Sequence, residues 1–355
     1  MTALAPSAKT LTRLSPSSFE TLRACPLRLA FATQGDGGGS VTSDRQRIGQ
    51  ICHDVLESLV RDGQLRSESW PEPLESRFLE LLARNEGETH AVLRGSRLAL
   101  ARLRKVAARM ADLLQQLPAD AEVLTEEELT AADGRLFGRL DLIVRSAARH
   151  VIVDYKTGSF LEPGTEQLKA SYERQLMLYA CLEAEASGTW PEQALLVPFG
   201  AEPVTLSIDP AACQRLSQDV LAALDLWHTW VGGPPPANAS TQSCRWCPFA
   251  ARCPEFWAAC NTDWADELLA VRGRVISVAT TPLGGITLQI ASAQGSVLGT
   301  AAVRNIEPTE FPGLMGIDAG NAIALVGLRR DPEDVPVAVE FRDGGPGVIV
   351  TSLRR

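Results

Sequence analysis

Two carboxylates and an ammonium stand where a β-hairpin would bring them together. Gly138-Arg-Leu-Asp141-Leu-Ile-Val-Arg is followed, after a short turn, by Val151-Ile-Val-Asp154-Tyr-Lys156-Thr-Gly. So short a connection favours an antiparallel pair, in which Asp141 and Asp154 approach each other across the ladder. Asp154 and Lys156, two residues apart, share one face of their strand. Val151, Ile152 and Val153 make that strand apolar, and charge is costly there unless it is paired or bound to a metal. Two carboxylates at one point suit a hard cation, Mg²⁺ or Mn²⁺. A lysine beside them suits the positioning of a water or the stabilisation of charge on phosphorus. A plain surface ion pair between Asp154 and Lys156 explains the lysine but leaves the second acid unexplained.

A second constellation lies further on. Cys244-Arg-Trp-Cys247 and then Cys253 form a C-x2-C-x5-C run, too concentrated for ordinary core packing. A closed site needs a fourth thiolate, either Cys260 nearby or Cys25 in Leu22-Arg-Ala-Cys25-Pro. Spacing alone chooses neither between these two cysteines nor between zinc and an iron–sulfur cluster. Cys52, Cys181 and Cys213 sit in apolar helical contexts and read as buried small hydrophobes.

The surrounding elements follow from periodicity and turn chemistry. Helices are predicted over 15–33, 46–62, 88–117, 165–187 and 210–230. Strands are predicted over 121–129, 135–144, 150–155, 195–199 and 204–208, a mixed α/β pattern. In the 88–117 helix, Ala99, Leu103, Val106, Met110, Leu113 and Leu117 form an apolar stripe. Arg94, Arg97, Arg104 and Lys105 occupy the opposite arc with Arg109 on its flank, and no acid lies between Arg94 and Arg109. That arc reads either as a solvated face or as a phosphate-tracking stripe. After Leu268 the chain is β-rich with Gly and Pro turns, which suggests a small barrel of the OB or SH3-like kind.

Length and composition bound the function. At 355 residues the chain has room for two domains, here placed at 1–262 and 266–355. With 45% hydrophobic and 22% charged residues it is an ordinary globular sequence. A net charge of -9 excludes a broadly basic, histone-like binder, though not a local basic groove. No phosphate-binding GxxxxGK[ST] loop is present, so no ATP-driven motor is encoded. No apolar run of about 18 residues appears, and the first 14 residues carry Lys9 and Arg13 without an apolar core, so neither a membrane span nor a signal peptide is expected. A cytoplasmic location, where thiols stay reduced, is the corresponding expectation. The 266–355 region holds eight arginines and no lysine against ten acids, with Phe311 and Phe341 its only aromatics. That composition suits protein docking or a lid as well as it suits a single-strand platform.

The ordered set Gly49-Gln-Ile-Cys-His53-Asp-Val-Leu-Glu57, Gly138-Arg-Leu-Asp141, Asp154-Tyr-Lys-Thr-Gly158 and Gln175-Leu-Met-Leu-Tyr179 resembles the core of the PD-(D/E)XK nuclease superfamily in its RecB-like branch. Leu140 replaces the proline and Asp154 the glutamate of the name-giving pattern. The resemblance implies a restriction-endonuclease-like mixed sheet flanked by helices. It implies a metal held by His53, Asp141, Asp154 and the Tyr155 carbonyl, Lys156 as the catalytic lysine, and Gln175 and Tyr179 orienting the lysine or the DNA backbone. It implies Mg²⁺- or Mn²⁺-dependent hydrolysis of DNA, single-stranded or single-stranded at its ends, by an exonuclease serving repair, recombination or defence with a helicase or defence-system partner. Some similar nucleases, including the AddB subunit and CRISPR-associated relatives, carry a [4Fe–4S] cluster on one early cysteine and a later C-x2-C-x5-C. That arrangement implies Cys25, Cys244, Cys247 and Cys253 as ligands, with structural Zn²⁺ the alternative. Closing so long a loop costs on the order of 5 kcal/mol of chain entropy, so a cluster there would act as a staple. The competing expectation is a non-catalytic DNA-binding or scaffold subunit of a larger complex.

Overall fold

The computed structural model describes residues 5–35, 44–89, 95–162, 164–280, 285–306, 314, 316–330, 338–341 and 348–351. It divides into two compact units, one comprising Leu11–Glu20 and Asp44–Leu226, the other Met1–Thr10, Thr21–Ser43 and Trp227–Arg355.

The single helix predicted over 15–33 is two helices, α1 (Pro16–Ala24) and α2 (Pro26–Thr33). Cys25 between them is extended, φ -166 and ψ 110, because a residue preceding proline is pushed out of the α region. Helix α3 (Asp44–Arg61) buries Ile51, Val55, Leu56 and Leu59 along one face. Helix α4 (Pro71–Thr89), absent from the sequence reading, buries Leu74 and Phe78. Helix α5 (Ser96–Gln115) begins after Gly95, which takes φ 86, so the helix read from residue 88 starts later than predicted. Leu103, Val106 and Met110 of that stripe are buried as expected.

The strands β1 (Glu122–Ala131), β2 (Leu136–Arg145) and β3 (His150–Lys156) form an antiparallel meander. Helix α6 (Ala170–Ser187) then crosses over to β4 (Gln193–Pro198), which pairs parallel to β3. Strand β5 (Val204–Ser207) closes the order β1-β2-β3-β4-β5, and α7 (Pro210–His228) follows. Leu142, Val144, Val151, Val153 and Tyr155 share one hydrophobic cluster with residues of α3, α4 and α5. Each aliphatic side chain so buried contributes roughly 1.5–3 kcal/mol. Helix α6 packs against β1 to β4 and buries Leu176, Leu178, Leu182 and Glu183. Glu183 is tolerated there because Arg145 Nε donates to it at 2.6 Å and His150 Nε2 lies 2.6 Å from the same oxygen.

In the other unit, β6 (Leu269–Thr280), β7 (Ile286–Gly295), β8 (Gly299–Ile306), β9 (Ala322–Arg330), β10 (Ala338–Phe341) and β11 (Val348–Thr351) form a second sheet in the order β10-β8-β7-β6-β9-β11. Strand β10 pairs parallel with β8 and antiparallel with β9. Val271, Leu288, Ile290, Val303 and Leu325 are among its buried core. Among the described residues no helix is long and apolar enough to cross a membrane.

Candidate active site

The β2–β3 ladder ends its pairing at Leu142 and Val153, and one step further Asp141 comes opposite Asp154. There a side chain takes over from the ladder: the Tyr155 N–H donates to Asp141 Oδ2 at 2.6 Å. Asp154 is 2% exposed, and its Oδ2 meets Lys156 Nζ at 2.7 Å. The Lys156 ammonium is the charged partner of this oxygen, which is otherwise closed off from solvent. Such an oxygen is what a cation would satisfy.

Helix α3 delivers His53, whose Nδ1 lies 3.8 Å from Asp141 Oδ2. Gly49, one turn earlier, makes this possible. A Cβ there would fall 2.8 Å from Thr157 Oγ1, on the turn that follows β3. The His53 ring meets Tyr155 edge-on at 5.9 Å and stacks on Phe199 at 6.3 Å. Gly138 does the same for α6. A Cβ at that position would lie 2.7 Å from Leu182 Cδ1 and 3.0 Å from Tyr179 Cε1, so its absence lets Tyr179 seat over β2. Gln175 Nε2 donates to the Tyr179 hydroxyl at 3.0 Å.

Burial sets the electrostatics. It pushes the carboxyls of Asp141 and Asp154 up to about 6, against the pull of the Tyr155 N–H and Lys156 on the first and of Lys156 on the second. Burial pulls Lys156 down, but Asp154 outweighs it and holds the ammonium above its ordinary range. Burial lowers His53, leaving a neutral imidazole with a lone pair to give. Burial raises the phenols of Tyr155 and Tyr179.

Two residues escaped the sequence reading. Tyr172 of α6 presents its ring to Lys156 Nζ at 5.3 Å and to Lys169 Nζ at 5.8 Å. Glu126 of β1 brings a ligand atom within 4.8 Å of those of His53 and Asp141. Its φ of 52 is a left-handed value that a glutamate adopts at a cost of about 1–2 kcal/mol. The run Glu126-Glu127-Glu128 hides this residue, since nothing in it separates one glutamate from the next.

The cysteines that the resemblance implied come together. Cys25, Cys244, Cys247 and Cys253 line one pocket, and Cys260 does not. Asn238 N–H donates to Cys25 Sγ at 3.4 Å and Phe256 N–H to Cys253 Sγ at 3.5 Å. Burial pushes Cys244 up to about 12 and Cys253 to about 11, and it raises Cys247 as well. Protein groups thus do little to stabilise thiolates here, and a bound metal would supply what is missing. Cys52, Cys181 and Cys213 are buried in helices.

The basic helix is less bare than its own sequence suggests. Arg97, Arg104 and Lys105 are exposed, but Arg104 pairs with Glu75 of α4. Arg109 pairs with Glu202 and donates to the Ala201 carbonyl at 2.6 Å. Those acids come from other elements, where a reading along one helix does not look. Arg94 lies outside the described residues.

A model of the PD-(D/E)XK nuclease superfamily matches residues 13–254, and the chain belongs to that superfamily. Its members are hydrolytic nucleases that work with divalent metals. Among solved structures, a protein described as a "putative exonuclease" from Eubacterium rectale is 12% identical over 64% of this chain and 85% of its own, with a TM-score of 0.41. The structure described as SSO0001 is 19% identical over 48% of this chain and 79% of its own, with a TM-score of 0.25. No curated protein matches the chain.

Proposed function

We propose that this protein is a Mg²⁺- or Mn²⁺-dependent deoxyribonuclease that hydrolyses phosphodiester bonds in single-stranded DNA or at single-stranded ends. The observation that carries the reading is the junction of His53, Asp141 and the Asp154–Lys156 pair at the split end of the β2–β3 ladder, in a chain of this superfamily. His53, Asp141, Asp154 and the Tyr155 carbonyl would hold the cation. When bound, such a cation lowers the pKa of a coordinated water and polarises a phosphoryl oxygen. Lys156 stays protonated beside Asp154 and is placed to meet negative charge developing on the phosphorus oxygens. Gln175 and Tyr179 orient the lysine or the substrate backbone through their shared hydrogen bond. Arg97, Arg104, Lys105 and Arg109, with Arg94, track phosphates on the approaching strand.

Within the same reading, Cys25, Cys244, Cys247 and Cys253 hold a [4Fe–4S] cluster. Structural Zn²⁺ on the same four thiolates is the alternative. We read the second sheet as a small barrel of the OB or SH3-like kind for docking DNA or a helicase or defence partner. A reducing cytoplasm suits its eight free thiols.

The test is incubation with end-labelled linear single strands, duplexes and closed circular single strands, in Mg²⁺, Mn²⁺ or EDTA. Metal-dependent loss of the linear single strand with survival of the circle is expected. Loss of the circle would replace end-dependent cleavage with internal cleavage. No cleavage of any DNA in either metal would overturn the assignment.

A further inference from the structure

We propose that Glu126 is a further ligand of the cation held at His53 and Asp141, so the site gathers three carboxylates where its sequence motifs supply two. The proposal rests on the nuclease reading above and adds a residue to it. Ligand atoms of His53, Glu126 and Asp141 all lie within 4.8 Å of one another. Asp154, by contrast, has Lys156 at 2.7 Å. Glu126 therefore supplies, beside Asp141, a second acid within reach of the imidazole.

The backbone explains how it gets there. Thr125 pairs with Leu142 and Glu127 with Leu140, which sets Glu126 opposite Asp141. Those two residues are left out of the pairing, and Glu126 turns to φ 52. Opposed carboxylates repel, and a cation between them removes the conflict. Arg139 holds the arm in place, with Nε 3.1 Å from the Glu126 carbonyl oxygen and 2.8 Å from Oε2. Arg139 is 62% exposed, so this pair is a weak competitor for a carboxylate that has a second oxygen to offer. An imidazole with carboxylates is a donor set that accepts Mn²⁺ as well as Mg²⁺.

The test is calorimetric titration of the full chain with MnCl₂ without DNA, alongside apo and Mn²⁺-saturated melting curves. Glu126→Gln keeps the side-chain shape and should weaken Mn²⁺ at least about tenfold while the apo protein melts no lower than wild type. Glu126→Asp should fall between the two. Arg139→Gln should leave affinity unchanged or tighten it, because it removes a competing cation. Asp141→Asn is the control and should abolish binding. If Glu126→Gln binds as wild type while Asp141→Asn does not, the Glu126 proposal fails and the nuclease reading stands. If Asp141→Asn also binds as wild type, the metal lies elsewhere and both fail. If Glu126→Gln and Arg139→Gln weaken binding equally, the ion pair is responsible and Glu126 is not a ligand.

Discussion

Replacing Asp154 with asparagine in the metal-free protein should change how stability depends on pH. Asp141 and Asp154 are each pushed up to about 6 by burial, whereas an unfolded aspartate titrates at about 3.9. The folded state therefore binds more protons between these values, and stability rises as pH falls through 6, the reverse of the usual salt-bridged aspartate. Between pH 7.5 and pH 5 the gain is on the order of 1 kcal/mol for each carboxyl, the two titrating as an interacting pair. For a unit of this size, that is roughly 2–4 °C of melting temperature per kcal/mol. Burial lowers His53, so it acts in the opposite direction, losing stability as pH falls, but it is present in both proteins. The difference between wild type and Asp154→Asn reports the aspartate together with the further lowering of His53 once that neighbouring charge is gone, an effect of the same sign. In EDTA, thermal melts from pH 5 to 8 should show Asp154→Asn gaining less on acidification than wild type, by on the order of 1 kcal/mol. Saturating Mn²⁺ should reverse the wild-type trend, since metal and proton compete for the same oxygens. Parallel curves for the two apo proteins would refute the claim that Asp154 is held as a strained buried acid.

Four further outcomes are expected. Gly138→Ala places a methyl 2.7 Å from Leu182 Cδ1 and 3.0 Å from Tyr179 Cε1, so urea unfolding should show a loss of about 1–3 kcal/mol and cleavage should fall as α6 shifts. Reversing Arg97 and Lys105 to glutamate should weaken single-strand binding and flatten its salt dependence more than reversing Arg104 and Arg109, which already have Glu75 and Glu202, as a fluorescence titration across a salt series would show. Cys25→Ser should remove the visible absorption of anaerobically purified protein, while Cys260→Ser, outside the pocket, should retain it; the opposite pattern would point to a local zinc site. Tyr172→Leu, which takes the ring from between Lys156 and Lys169, should slow cleavage and move the basic limb of its pH profile, with Tyr172→Phe restoring both.

The meander and its acids were legible because a hairpin with period-two burial fixes which residues meet. Register Leu142 to Val153 sets Asp141 against Asp154, as the short turn required. Three of the pocket's cysteines were legible as a spacing pattern, whereas Cys25, which joins them from a remote segment, came from the family resemblance. Helix α4 was not read, since among its described side chains only Leu74 and Phe78 are fully buried. The break at Cys25 was readable in principle from the proline after it, but the apolar pattern runs through it. Glu126 was hidden for a different reason. Its role depends on one left-handed backbone turn inside a strand, and no local propensity of glutamate announces it. The acids that pair with Arg104 and Arg109 were likewise invisible along α5, because tertiary packing brings them in.

The most direct test compares wild type with Lys156→Ala on end-labelled linear single-stranded DNA in Mn²⁺, with Mn²⁺ affinity measured on the same samples. Lys156 makes an ion pair with Asp154 and meets the Tyr172 ring, so its removal should abolish cleavage while Mn²⁺ still binds. Equal cleavage by the two proteins, or an inert wild type with Mn²⁺ bound, would contradict the assignment of this site to phosphodiester hydrolysis.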